Sequence, residues 1–170
     1  IWWFWWFCVF LLGIMRFFVW DLGYIFLYLK NFTHMLTRDT QLLDMRPEIT
    51  SAQVTDSMSS DERFQNKTLR PAIKLQNDLL IEAFRNYIAK HKNVFYSFPL
   101  EKRIAYIENA IQKDIKFRNS LKGMIIGIFT VEEYQKYIEN SSALNKRMMN
   151  IVKERILNNI QLLENEPQFS

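Results

Sequence analysis

The sequence predicts an all-α fold: a helical bundle of four to five helices, preceded by an apolar N-terminal segment. Three observations predict it. Apolar side chains recur every third or fourth position through most of the chain after residue 58. Capping-box patterns and prolines punctuate that period where helices should begin. Connections are short, and no segment alternates apolar and polar residues as a half-buried strand would.

Taken in order, the first element is Ile1–Met15, an uninterrupted apolar run. All five Trp and seven of the 14 Phe lie in residues 1–32, where Arg16, Asp21 and Lys30 are the only charges. A bilayer crossing needs roughly 20 apolar residues, so the hydropathy suits a membrane anchor. Lys30, Arg38 and Arg46 would then hold the following chain in the cytoplasm. Trp favours the membrane interface, however, and Trp2, Trp3, Trp5 and Trp6 crowd one end. The stretch also lacks the basic leader and small-residue cleavage site of a secretory signal. Residues 1–34 are therefore expected to be sequence translated from upstream of a true start at Met35, with a membrane anchor as the alternative. Residues 35–58 contain Pro47 and scattered Ser, Thr and Asp without a sustained period, so they are expected to form a loosely ordered lead-in with one short helical turn.

Residues 59–163 carry the bundle. Ser59 followed by Glu62 is a capping box that opens the first helical segment. Pro71 should kink that segment or restart it, after which Ile73, Leu80, Phe84, Tyr87 and Ile88 share one face as far as Lys90. After the connection HKNVFYSFP, Pro99 opens a second long helix with a stripe of Leu100, Ile104, Ile107, Ile111 and Ile115, expected to run to Leu121 or beyond. LKGMIIGIF reads as a close-packed helical stretch in preference to a short buried strand. Thr130 with Glu133 caps a short helix carrying Val131, Tyr134, Tyr137 and Ile138. A final helix from Ser142 to Leu163 buries Leu144, Met148, Ile151, Val152, Ile156 and Ile160, and residues 164–170 form a tail.

Composition narrows function by exclusion. A balance of 22 basic against 18 acidic side chains is too mild to imply a nucleic-acid partner. Lys113, Lys116, Lys122, Lys146, Arg147 and Lys153 offer some basic surface, but Glu101, Glu108, Glu132 and Glu154 are interspersed and no aromatic residues interleave. Cys8 is the single cysteine, which removes intramolecular disulfides, and after residue 34 it leaves no thiol nucleophile or Cys-rich zinc site. His91 is the one imidazole after His34 and reads as a solvated residue at a helix end. Dinucleotide, P-loop and nucleophile-elbow motifs are missing, so no catalytic residue, metal ligand or cofactor is assigned.

What remains is polar side chains falling inside apolar arcs. Advancing about 100° per residue, Gln76 and Asn77 fall among the inward positions of their helix. Asp114 and Arg118 fall beside Ile104, Ile107 and Ile111, spaced for an i, i+4 ion pair. Arg155 lies between Leu144, Met148 and Ile151, and Asn145 is also inward. Gln76, Asn77, Asp114, Arg118 and Arg155 are therefore the candidate ligand-binding set for a small anion, arginine being the side chain that grips carboxylate or phosphate at two points. A buried polar network that fixes helix register, or an interface with a second copy, is the competing reading.

The stretches RPAIKLQNDLL (70–80), HKNVFY (91–96), KDIKFRNSLKGMIIGIFTVEEYQKYI (113–138) and NSSALNKRMMN (140–150) resemble a family of small, uncharacterised bacterial helical proteins, some of which carry the name glyoxalase. The resemblance covers most of residues 35–163 and implies a helical family identity. It adds a lactoylglutathione lyase as an alternative function. The residues themselves point to a small cytoplasmic helical module, or a membrane-anchored one facing the cytoplasm, that acts by binding or self-association. A homo-oligomer and a protein partner are expected, RNA or ribosome association is a further alternative, and membrane contact enters only if residues 1–34 are native.

Overall fold

The computed structural model describes residue 30, residues 38–50 and residues 54–163. The chain divides into two compact units, Ile1–Gln41 and Leu42–Ser170. In the first, Arg38 pairs with Asp39 at 2.8 Å. The expectations for residues 1–34, Lys30 apart, for a start at Met35 and for the tail 164–170 fall outside the described residues. No helix among the described residues is long and apolar enough to cross a membrane.

The protein is an all-α helical bundle, and among the described residues no strand forms. Residues 38–44 are helical, which gives the lead-in its expected turn. The bundle itself resolves into α1 (Ser60–Phe64), α2 (Arg70–Leu75), α3 (Asn77–Lys90), α4 (Leu100–Lys113), α5 (Ile115–Ile126), α6 (Val131–Glu139) and α7 (Ser141–Asn158). There are more helices than four or five because Gln76 and Asp114 break rods that the sequence reads as continuous, and a π-helical stretch at Gln65–Leu69 changes the winding ahead of Pro71.

The change of winding has a clear cause. Ser59 and Glu62 form the capping box, the Ser59 hydroxyl accepting from the Glu62 amide at 3.3 Å and the Glu62 carboxylate from the Ser59 amide at 3.1 Å. Downstream, Pro71 has no N–H, and its ring would collide with the carbonyl four residues back. The chain answers with a π-helical stretch at Gln65–Leu69, in which the Arg70 amide reaches the Gln65 carbonyl, five residues back. One residue is absorbed and the rod from Ser60 to Leu75 neither stops nor restarts.

Asp114 breaks the second long helix for a different reason. Its backbone is extended (φ −80°, ψ 99°) and its carboxylate accepts the Phe117 amide at 3.0 Å. Aspartate satisfies an orphan amide at a helix start better than it sits inside a helix, so α4 ends and α5 begins. Only part of the expected stripe is covered: Ile107 and Ile111 are buried, Leu100 and Ile104 near the start of α4 are exposed, and Ile115, just past the break, is exposed too. Similarly, α6 buries only Tyr137 of its four apolar side chains and leaves Val131, Tyr134 and Ile138 in solvent. The α7 face matches its sequence pattern, with Leu144, Met148, Val152 and Ile156 fully packed or nearly so.

The core centres on Phe84 of α3, wholly buried, whose ring meets Tyr87, Phe95, Tyr106 and Phe117. The connection from α3 to α4 is fixed from within: Lys92 and Asn93 take left-handed backbone (φ 60° and 58°), and the Arg103 guanidinium donates to the carbonyls of Phe98 and Tyr96 at 2.8 and 2.9 Å. It also lies 5.4 Å from the centre of the Phe95 ring.

Candidate functional site

The best-formed polar feature lies between the start of the Ser60–Leu75 rod and α6. Thr130 and Glu133 form the second capping box, the Thr130 amide donating to the Glu133 carboxylate at 2.8 Å and the Glu133 amide to the Thr130 hydroxyl at 3.1 Å. Helix capping therefore turns the Glu133 carboxylate back toward the rod, where Thr68 of the π-helical stretch donates its hydroxyl to it at 2.9 Å. Arg46 completes the arrangement from the lead-in. One guanidinium nitrogen meets Glu133 Oε1, and the other donates to Oε2 and to the Ile128 carbonyl, both at 2.7 Å. The Arg46 and Glu133 side chains are only 6% and 14% exposed.

Burial alone pushes the Glu133 carboxyl up. The hydrogen bonds from Arg46, Thr130 and Thr68, with the Arg46 charge, outweigh it and hold the group below its ordinary value of 4.5. Each lone pair has a partner, so the charge is stable where it sits. Lys74 adds a second tether to the lead-in, donating to the Glu48 carbonyl at 3.2 Å.

Two contacts define the geometry above this floor. Thr68 meets Glu133 at one end, and Asn140 donates to Asp61 at 2.9 Å at the other. Seven residues separate the partners on each side, so the rod and α6 run antiparallel, joined at two points about 10 Å apart. A cleft of about 600 Å³ opens along this junction, with Phe64, Leu43 and Leu144 among its lining side chains. Its charged lining consists of four carboxylates (Asp61, Glu132, Glu133 and Glu139) and three cations (Arg63, Lys67 and Lys136). Lys136 is held by Glu132 at 2.6 Å. The side chains of Arg63, Lys67 and Glu139 make no hydrogen bond or ion pair among the described residues, although Glu139 adds to the field that raises the Lys136 ammonium behind the dominant hydrogen bond from Glu132.

The five residues expected to hold a ligand do not converge. Gln76 donates its amide to the Met124 carbonyl at 3.2 Å, at the far end of α5 from Asp114. Ten residues of helix separate those ends, about 15 Å. Asn77 accepts from Asn159 at 3.3 Å, and Asn159 also donates to the Arg155 backbone carbonyl at 2.7 Å, so Asn77 and the Arg155 backbone share one small network. Asp114 caps α5 and lies near the Tyr87 hydroxyl; the Phe117 amide, helped by that hydroxyl, holds its carboxyl below the ordinary value. Burial first, and then this carboxylate, raise Tyr87 above its ordinary value. Arg118 donates to the Gln112 carbonyl at 3.2 Å and makes no ion pair with Asp114, whose carboxylate is committed to the cap. Asp114 also lines a shallow groove of about 560 Å³ with Tyr87 and Tyr106.

The sequence reading missed Arg46, Thr68, Arg63, Lys67 and Glu139. The one local signal was the Thr130–Glu133 capping box, because it fixes where the Glu133 carboxylate points. Among the described residues no group of three or more His, Cys, Asp or Glu side chains is placed to hold a metal ion. Comparison with protein-family models, curated proteins and solved structures finds no significant match.

Proposed function

We propose that the protein is a small helical binding module whose working surface is the cleft between the Ser60–Leu75 rod and α6. The observation that supports this reading most strongly is the contrast within the cleft. Beneath it the Glu133 carboxylate is fully paired with Arg46, Thr68 and the Thr130 amide, while on its walls the Arg63, Lys67 and Glu139 side chains make no hydrogen bond or ion pair among the described residues. A paired charge held in place beneath charges left open to a ligand is what a preorganised recognition site requires. A volume of about 600 Å³ is in the range of small-molecule sites.

A thermal-shift screen tests the reading with anionic, cationic and zwitterionic small molecules. A ligand at ten times its Kd adds about 1.4 kcal/mol of stability, which for a domain of this size is several degrees. The expected result is stabilisation by at least one charged class, lost when both Arg63 and Lys67 are replaced by Glu. No response from any class, or an equal response in the charge-reversed variant, would overturn it.

A second reading, self-association, is favoured by the outer face of α6. Val131, Tyr134 and Ile138 lie at i, i+3 and i+7 and are 39%, 47% and 56% exposed. Such a stripe suits an isologous contact between two copies. Light scattering after size exclusion should then show a dimer that Tyr134→Glu dissociates; a monomer at all concentrations would refute this.

A further inference from the structure

Resting on the binding reading above, we infer that the cleft takes a short zwitterion, a free amino acid or a short peptide with unblocked ends. Its carboxylate would lie between Arg63 and Lys67 and its ammonium group against Glu139. Three observations carry this.

The first is the sign and placement of the uncommitted charges. Arg63 and Lys67 are four residues apart along one wall, whereas Glu139 belongs to the opposite wall. A carboxylate bridging the two cations gains charge-assisted hydrogen bonds. An ammonium group on the same molecule is then opposite Glu139, whose carboxylate adds to the field around Lys136 but makes no ion pair among the described residues.

The second is what the remaining charges forbid. Asp61, Glu132 and Glu133 share the lining with Glu139, and the three lining cations do not outnumber these carboxylates. Arg46 pairs with Glu133 and Lys136 with Glu132, which leaves Asp61 and Glu139 as the lining carboxylates without an ion pair; a phosphate or nucleic-acid backbone drawn to Arg63 and Lys67 would be repelled by both. A lone cation would meet the converse problem. A molecule with both charges, set several ångströms apart, satisfies both walls.

The third is the apolar part of the lining. Phe64 is 8% exposed and Leu144 2%, and Leu43 is exposed at the rim. Phe64 and Leu144 are themselves buried, so Leu43, 51% exposed, is the apolar surface that an aliphatic side chain would cover while the charged ends reach the walls.

Calorimetric titration of the full chain with L-alanyl-L-leucine tests the inference, alongside its N-acetylated form, its C-terminal amide and inorganic phosphate. The free dipeptide is expected to bind, and each cap to weaken it at least tenfold. Glu139→Gln should remove the preference for the free amine over the acetylated form, and Lys67→Ala the preference for the free carboxylate over the amide. Both side chains are exposed, and a thermal melt confirms that each variant is folded. Capped and free dipeptides binding equally would overturn the inference. Phosphate binding that Lys67→Ala abolishes, with no response to the dipeptide, would overturn the ligand class and leave the cleft reading standing. Silence from every compound would overturn the inference, and the thermal-shift screen then decides the cleft reading.

Discussion

Arg46 and Glu133, 87 residues apart in the chain, meet in a buried ion pair in which both terminal guanidinium nitrogens face both carboxylate oxygens. That pair joins the lead-in to the start of α6, and Thr68 joins the same carboxylate to the rod. Three segments distant in sequence are thus held by one group, and the cleft stands on it.

Removing one partner should therefore be far more costly than removing both. Arg46→Met leaves a buried carboxylate without its cation and is expected to destabilise the domain by about 3 kcal/mol. Glu133→Gln leaves the converse problem. Denaturant unfolding of the two single variants and the double variant should give a coupling of about 2 kcal/mol. Additive effects would show that the pair contributes no mutual stabilisation.

Acid should dissolve the same network. The Glu133 carboxyl lies below 4.5 in the folded chain, and in the unfolded chain it returns to about 4.3 to 4.5. A depressed folded value means that its contribution is present above the unfolded value and is lost as pH falls through the folded one. The melting temperature is expected to drop on acidification below about pH 4.5, with a shallower slope in Glu133→Gln. Equal slopes in the two proteins would place the acid sensitivity elsewhere.

Tyr106 presents the opposite case. Its hydroxyl is buried without a hydrogen-bond partner among the described residues, and burial, with the neighbouring Tyr87, pushes it up to about 12. Replacing a buried unsatisfied group by an apolar one of the same shape is neutral or favourable. Tyr106→Phe is expected to keep or raise stability, by up to about 1 kcal/mol. A loss larger than that by chemical denaturation would reveal a partner for the hydroxyl.

Gly123 lies inside α5, is exposed, and an added Cβ there would meet nothing within 4 Å. Its backbone is ordinary helix, so glycine contributes only entropy to the unfolded chain. Gly123→Ala should stabilise by about 0.5 to 1 kcal/mol, read as a higher denaturation midpoint. A decrease would mean that the position needs the smaller residue for a contact with another molecule.

The fold was legible where the cause was local. Both capping boxes and the α7 stripe follow from residues within four positions of one another, and each forms as its pattern requires. Asp114 shows where local rules compete. Its spacing to Arg118 suits an ion pair and its residue type suits a helix cap, and the cap wins, cutting the rod and turning Ile115 into solvent. The half-exposed stripes of α4 and α6 share a lesson: periodicity marks an amphipathic helix but not how much of its apolar arc the neighbours can cover. The cleft was illegible for a further reason. Arg46 sits in an aperiodic lead-in beside Pro47, and nothing near it in sequence identifies Glu133 as its partner; only the fold brings them together.

The most direct test of the account is a backbone amide chemical-shift map of the full chain, recorded with and without L-alanyl-L-leucine. Changes are expected to concentrate in residues 60–69 and 130–144, on the two walls and floor of the cleft. Changes concentrated instead on the Tyr87–Tyr106 groove or the exposed side of α4, or a spectrum that does not move, would contradict it.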